Sequence, residues 1–287
     1  MTSRTLDVAG TELCAHEWGG QGAPAVLFWH ALGDHTGQQV AEVATLLVQD
    51  FGLRVVALDA PGFGGSPAFE EPERYELSSV VPLALGAADG LALERPVFLG
   101  SSWGGSVALA AAATAPDRLR GIALLDSGYQ PAMTGGESLE ELREHWRGEE
   151  GFRFATWDDW REDAHAYFSR MTPELEEVLR SAYRERDGEV VSIMGPDIYA
   201  TVIWALRREP WTTFVPRVGR TGVPVLMLAA TEPPERRAER TEELGAFAAD
   251  VPQAVIRHVE GAGHPLLEER PEQVARAVGE WALPLYA

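Results

Sequence analysis

The chain contains no lysine and no asparagine. Arginine therefore carries all 24 positive charges. The first absence excludes a Schiff-base lysine and a P-loop lysine. The second excludes an N-glycosylation site and an asparagine oxyanion donor. Cysteine is nearly absent too. Cys14 stands alone, so no intramolecular disulfide can form, and on that count a thiolate-based zinc site is not expected. No apolar run reaches the roughly 18 residues needed to span a bilayer. The N-terminus, Met1–Gly10, lacks the apolar stretch of a signal peptide, and a cytoplasmic protein is the expectation. Positive charge is in deficit, with 24 Arg against 44 Asp and Glu, a net charge of −20 and a pI near 4.7. Nucleic-acid binders need a basic surface to neutralise phosphates, and anionic membranes attract polybasic segments. Neither partner fits. A small molecule does. The sequence leaves the oligomeric state open.

What remains is an ordinary globular composition: 287 residues, 45% hydrophobic and 24% charged. Residues 5–18 predict two short strands around the turn at Ala9-Gly10-Thr11. Compact apolar runs follow at Ala25–Trp29, Arg54–Leu58, Val97–Leu99 and Ile122–Leu125. Helical spacing covers 38–50, 77–91 and 104–114, with Pro82 expected in the first turn of the second. Continuous apolar strands alternating with helices signal a parallel sheet covered on both faces. The rhythm breaks after Asp126 and resumes at Pro224–Ala229. A helix near 234–249, a strand at 254–259 and a closing helix near 271–283 complete it. The stretch between is rich in Glu and Arg and carries Trp146, Trp157, Trp160, Trp204 and Trp211. Pro173 and Pro196 interrupt its helical segments. It reads as a mostly helical insertion, 127–218, within a core of 1–126 and 219–287. Its arginines are expected to pair with its own glutamates, and no more than two of its tryptophans to face a ligand.

Three motifs carry chemistry. Gly100-Ser101-Ser102-Trp103-Gly104 matches G-x-S-x-G between a buried strand and a small-residue helix. So sharp a turn demands small neighbours, which Gly100, Gly104 and Gly105 supply. Ser102 becomes the candidate nucleophile, and the backbone N–H of Trp103 a candidate oxyanion donor. Trp29-His30-Ala31-Leu32-Gly33-Asp34-His35 follows the Ala25–Trp29 run. The Leu32 N–H is the second candidate donor. His30 reads as a structural histidine bonding loop backbone, and His35 as solvated. Gly261-Ala262-Gly263-His264-Pro265 holds a histidine in a loop at a strand end, where a general base must sit to reach a nucleophile on a neighbouring strand. His16, His145, His165 and His258 take no role. No H-E-x-x-H occurs, and Gly62-Phe63-Gly64-Gly65 lacks the dinucleotide spacing, so no metal and no cofactor are expected.

The order of these motifs resembles the α/β-hydrolase fold family over nearly the whole chain. Asp59-Ala60-Pro61-Gly62-Phe63-Gly64-Gly65-Ser66 is similar to that family's glycine-rich loop. Gly261–Leu267 with Glu269-Arg270-Pro271-Glu272 is similar to its histidine loop and last helix. The resemblance implies a mostly parallel eight-stranded sheet flanked by helices, with 127–218 as a helical cap. It also implies a third catalytic member, an acid. In the usual place, Leu228-Ala229-Ala230-Thr231-Glu232-Pro233 puts proline where the acid is expected, with Glu232 one residue early. The alternative place, after the sixth strand, matches Asp126. An aspartate ending a buried strand needs a partner, and an imidazole N–H serves. Asp126 is preferred, with Glu232 as the alternative.

The resemblance also narrows the reaction. Epoxide hydrolases and haloalkane dehalogenases of this fold use aspartate where this chain has Ser102. Prolyl aminopeptidases share the Trp after the serine, but their H-G-G-P-G loop differs from His30-Ala31-Leu32-Gly33. The expected activity is hydrolysis of an ester or lactone of a small to medium, mainly apolar molecule, through an acyl-enzyme on Ser102. Non-hydrolytic or carbon–carbon bond-cleaving chemistry on the same residues is the alternative within enzymes. A receptor-like ligand-binding role is the alternative outside them.

Overall fold

Apolar runs make the frame. The computed structural model describes residues 1–149 and 151–287. Its main sheet opens with the hairpin β1 (Thr2–Val8) and β2 (Thr11–Trp18), then β3 (Ala25–Trp29). Helix α1 (Ala41–Phe51) leads to β4 (Arg54–Leu58), and α2 (Leu77–Gly90) to β5 (Val97–Ser101). Helix α3 (Trp103–Thr114) leads to β6 (Gly121–Leu125). Eight strands lie in the order β1-β2-β4-β3-β5-β6-β10-β11, where β10 is Val225–Ala230 and β11 is Ala254–Val259. Pairing is antiparallel at β1/β2 and β2/β4 and parallel everywhere else. Helix α9 (Arg237–Asp250) joins the last two strands, and α10 (Leu266–Glu269) and α11 (Pro271–Ala282) close the chain. The eight-stranded, mostly parallel α/β frame expected from the motif order is thus present.

Alternation explains why the central strands are wholly apolar. Along β3, Leu27 and Trp29 enter one apolar cluster and Val26 and Phe28 the other. The same split holds for Phe98 against Val97 and Leu99 in β5, and for Met227 against Leu226 and Leu228 in β10. Side chains with period two on a sheet covered on both sides must all be hydrophobic. Each such side chain contributes about 1.5–3 kcal/mol on burial. Residues of α2, α3 and α9 cover one face, and residues of α1 and α11 the other.

Between β6 and β10 lie α4 (Leu139–Arg147), α5 (Trp157–Tyr167), α6 (Pro173–Arg180), α7 (Gly195–Arg208) and α8 (Val215–Thr221). They are joined by a three-stranded antiparallel sheet of β7 (Arg153–Phe154), β8 (Tyr183–Arg186) and β9 (Glu189–Ser192). That small sheet is absent from the sequence reading. Strands of two to four residues are too short to show an alternation. Three prolines also differ from expectation. Pro173 and Pro196 open α6 and α7 instead of interrupting them, because a missing N–H costs nothing in a first turn. Pro82 sits inside α2, past its first turn. The carbonyl of Ser78 that it leaves unpaired lies on the exposed side of the helix, where water serves.

The insertion has a small core of its own around Trp160, Leu175, Leu179 and Val190. Its last part does not. Val202, Leu206, Trp211, Phe214 and Val218 join the same cluster as β3 and β5. Several of its arginines pair with its own glutamates, Arg147 with Glu140, Arg161 with Glu176 and Arg207 with Glu137, but Arg170 and Arg208 depart from the expectation and pair with Glu42 and Glu76 outside it. Among the described residues, no helix is long and apolar enough to cross a membrane.

Candidate active site

The chain turns from β5 into α3 in one residue. Ser102 is that residue, at φ 49° and ψ −110°. A left-handed serine costs about 1–3 kcal/mol and persists only where its surroundings enforce it. Here the surroundings are glycines pressed against backbone. A Cβ on Gly100 would strike the carbonyl of Gly104, and one on Gly104 would strike the carbonyl of Trp29. A Cβ on Gly105 would strike the hydroxyl of Ser127, which donates to the carbonyl of Ser102 at 2.6 Å. Strand, turn and helix are locked, and Ser102 sits at the C-terminal edge of the sheet, facing a cavity of about 400 Å³.

Asp126 ends the neighbouring strand β6, also in a left-handed conformation at φ 44°. It is 5% exposed. One carboxylate oxygen accepts from the hydroxyl of Tyr129 at 2.6 Å and from the N–H of Ala230 at 2.9 Å. The other lies 2.8 Å from Nδ1 of His264. Burial pushes the carboxyl up, but the hydrogen bond and charge of His264, with the two other donors, hold it below the usual carboxylate range. For His264 burial works downward, and Asp126 overcomes it, so the imidazole lies above its ordinary pKa of 6.5. The imidazole is 52% exposed, and Nε2 makes no hydrogen bond among the described residues. Asp126 thus fixes one ring nitrogen while the other stays free on the cavity side. The Ser102 hydroxyl likewise makes no hydrogen bond among the described residues. Catalytic hydrogen bonds are often long before substrate binds.

The histidine loop is tied from three sides. Thr231 and Glu232 donate their N–H groups to the carbonyl of Ala262 at 3.0 and 2.9 Å. Glu269 accepts from the N–H of Gly263 at 2.7 Å, and Arg270 donates to the carbonyl of Gly261 at 2.6 Å. Glu232 therefore supports the loop through backbone. Its exposed carboxylate makes no hydrogen bond to His264 among the described residues, while Asp126 does.

Leu32 and Trp103 both line the same cavity. Their N–H groups have no partner among the described residues. The Trp103 side chain is core, packed edge-on to Trp29 at 5.8 Å, so only its backbone is offered. His30 is fully buried. Its Nδ1 donates to the carbonyl of Ala31 at 2.7 Å, and its Nε2 accepts from the N–H of Ala60 at 3.0 Å. Burial brings it down to about 4, so it stays neutral. His35 is not solvated as expected. It lines a second cavity with its side chain 17% exposed, because the loop turns it inward toward Glu268.

Several lining residues gave no signal in the sequence. Arg236 and Arg240 reach the cavity from the helical turn after β10 and from α9, and Leu206 and Trp211 reach it from the insertion. Tyr129, which holds Asp126 from outside the cavity lining, had a readable cue, three residues past Asp126 in the same loop. A metal was not expected from one cysteine. Yet Cys14, His16 and Asp59 bring donor atoms within 4.8 Å of one another, so the cysteine count alone was too strong an exclusion. The Asp59 carboxylate there already takes the N–H groups of Gly37 and Gly65 and Nε2 of His16, which leaves it little to offer an ion.

An elbow serine, a strand-end aspartate and a loop histidine on a doubly covered parallel sheet define an α/β-hydrolase fold. Residues 26–277 match the alpha/beta hydrolase family, and the chain belongs to it. By sequence it is similar to Epoxide hydrolase A of Mycobacterium tuberculosis, 25% identical over 317 residues that cover 98% of this chain and 97% of that one. Among solved structures it is similar to a thioesterase domain from the curacin biosynthetic pathway, at a TM-score of 0.76 and 21% identity, with 99% of each chain covered. It is also similar to the enol-lactonase of Burkholderia xenovorans LB400, at a TM-score of 0.70 and 20% identity, again with 99% of each chain covered.

Proposed function

We propose that this protein is a serine hydrolase that cleaves an ester or lactone of a small to medium, mainly apolar molecule. The observation that carries the reading is the 2.8 Å contact of His264 Nδ1 with Asp126, which leaves Nε2 free beside the cavity that Ser102 faces. In this reading His264 takes the Ser102 proton, and the serine oxygen attacks the acyl carbonyl. The N–H groups of Leu32 and Trp103 hold the oxyanion, and Asp126 stabilises the imidazolium. Protonated His264 then gives its proton to the leaving alkoxide. Water attacks the acyl-enzyme with His264 again as base, the acyl–Ser102 bond breaks as the imidazolium returns its proton to the serine oxygen, and the carboxylic acid leaves. Leu32, Leu206, Trp211 and Met133 supply apolar lining for the substrate. Residues 127–218 act as the cap, since they furnish part of that lining.

The relative named as an epoxide hydrolase supports a hydrolase, but Ser102 does not suit epoxide opening. Serine attack on an epoxide carbon forms an ether, which has no carbonyl for water to attack. Attack on an ester or lactone forms an acyl-serine, which has one. The test is labelling with a fluorophosphonate, followed by peptide mapping and an ester and lactone panel. An adduct on Ser102 in wild type that is lost in His264→Ala supports the reading. Absence of any adduct on Ser102 overturns it.

A further inference from the structure

A second cavity, of about 290 Å³, lies against the first. The two share Leu32, so they meet at the loop after β3. The second is built from opposite materials. Arg236 and Arg240 line the first. No arginine lines the second; its charged side chains are Asp34 and Asp163. Trp160, Phe168, Tyr183 and Tyr199 surround them.

Among the described residues Asp34 has no counter-charge. Ser192 donates to its carboxylate at 2.7 Å, and among the described residues no arginine pairs with it or with Asp163. The nearby base is His35, which burial pushes down to about 3, so it brings no charge. Burial and the neighbouring Asp163 raise Asp34 itself to about 6, the mark of a carboxylate placed without its cation. Two buried aspartates of this chain are answered, Asp59 by His16 and Asp126 by His264, while the buried Glu268 takes the amide of Gln39 instead of a cation. Aromatic faces around an unanswered carboxylate are what a desolvated organic cation needs. The rings offer their quadrupoles, and the carboxylate offers the charge. A hydrated metal ion fits less well, because five of the lining side chains are apolar or phenolic rings and not carboxylates. Asp163 and Tyr167 are exposed at this cavity and leave it a mouth.

We propose that this second cavity binds a small organic ammonium group, quaternary or protonated, with Asp34 as its counter-ion and Trp160, Phe168, Tyr183 and Tyr199 as its cage. The site does not depend on the chemistry assigned to Ser102. Its test is a binding measurement, so failure of the hydrolase reading leaves it standing, and the reverse.

The experiment is calorimetric titration of the whole protein with choline and, in parallel, with its neutral isostere 3,3-dimethylbutan-1-ol. Both runs are made at pH 8 in physiological salt. Choline is expected to bind saturably and the isostere at least about tenfold more weakly, the discrimination of one desolvated cation–π site. Asp34→Asn is expected to lose about tenfold or more in choline affinity. Asp163→Asn, at an exposed position, is expected to lose less and keeps the test open if the Asp34 variant fails to fold. Equal binding of the two probes shows an apolar pocket and overturns the proposal. Choline binding unchanged in folded Asp34→Asn overturns it too, because the cation then sits elsewhere on a strongly acidic surface. So does a wild-type protein that takes up neither probe.

Discussion

The chain uses the same pair of side chains twice, for opposite ends. His16 and Asp59 meet at 3.1 Å at one side of the sheet, and His264 and Asp126 meet at 2.8 Å at its C-terminal edge. In both, an aspartate at the end of a parallel strand holds an imidazole from another element. The difference lies in the second nitrogen. His16 is 4% exposed, with Nδ1 against the hydroxyl of Ser3 at 2.8 Å and Nε2 against Asp59 and Cys14. Nothing is left over. His264 is half exposed and spends only Nδ1. A saturated pair ties β2 to the loop after β4. An unsaturated one has a lone pair to use. The same contact is a bolt when both nitrogens are spent, and leaves an imidazole nitrogen for the proposed base when one is free.

The largest effects should break the second pair without touching the first. Ser102→Ala and His264→Ala are each expected to cut ester turnover by about 10⁴-fold or more, as removal of one member of a cooperating unit does. The thermal midpoint of Ser102→Ala should stay near wild type, while that of His264→Ala should fall, because the buried Asp126 carboxylate then keeps only Tyr129 and Ala230. Asp126→Asn should cost about 10³–10⁴-fold, since the imidazole loses its orienting anion. Glu232→Gln should cost little. If these two results are reversed, the acid is Glu232. Steady-state kinetics with a chromogenic ester and a melting curve read all four.

The mirror experiment is Asp59→Asn. It leaves a buried imidazole without its anion, which costs about 3–5 kcal/mol of stability. The melting midpoint should fall sharply while kcat of the folded fraction holds. A loss of kcat with stability intact would show that this pair is more than a bolt.

How much of this was legible depends on chain distance. Ser102 and Trp103 declare themselves through Gly100, Gly104 and Gly105, because the steric demand of the turn is local. Asp126 was readable as an acid ending an apolar strand. Its rival Glu232 differs from it only in three dimensions, where its backbone and not its carboxylate meets the histidine loop. His16 and Asp59 lie 43 residues apart in the chain, and no spacing rule links them. Arg240 and Leu206 are helix residues like many others, and only packing decides which helix face meets the cavity. His35 failed for the same reason. A loop histidine is solvated by default, and its inward turn needs the insertion, which propensity does not see. The fold was read almost entirely from the apolar strands, whose burial leaves no choice of residue type. The three short strands of the insertion were missed because strands of two to four residues are too short to show an alternation.

Acidity separates the two pairs more gently. His264 must be neutral to act, and its pKa is raised above 6.5 by Asp126. Activity should therefore rise with pH through a midpoint above 6.5, and the midpoint should drop in Asp126→Asn as residual turnover is followed. His16 shows its protonation in stability. Burial alone would lower it, yet the hydrogen bonds and charges of Asp59 and Cys14 bring it to about 9. A raised histidine stabilises the fold fully below its unfolded value near 6.5, and that stabilisation is lost as pH climbs through about 9. Asp59, held below its ordinary value, adds stability above 3.8 that is lost as pH falls through its folded pKa. Urea melts from pH 2 to pH 10 should show both flanks in wild type. The alkaline flank should be absent in His16→Ala. If it persists there, His16 is not its source.

The smallest expected effects come from the outer partners, Tyr129 and Ser3. Tyr129 donates one of three hydrogen bonds that Asp126 accepts. In Tyr129→Phe the carboxylate keeps Ala230 and His264 but loses a neutral competitor for its charge. Its attraction for the imidazolium should strengthen, so the pH midpoint of kcat/KM should move upward. A hydrogen bond to a charged group is worth about 1.5–3 kcal/mol, but here its loss is shared between Asp126 ionisation and loop order. The plateau rate should fall by less than about tenfold. Ser3→Ala removes the corresponding outer partner of His16. It should cost no more than about 1 kcal/mol of stability and leave both rate and midpoint alone. The contrast tests whether an outer hydrogen bond tunes a pKa only when the histidine it reaches still has a nitrogen to use. A shift in the activity midpoint in Ser3→Ala, or none in Tyr129→Phe, would break that distinction.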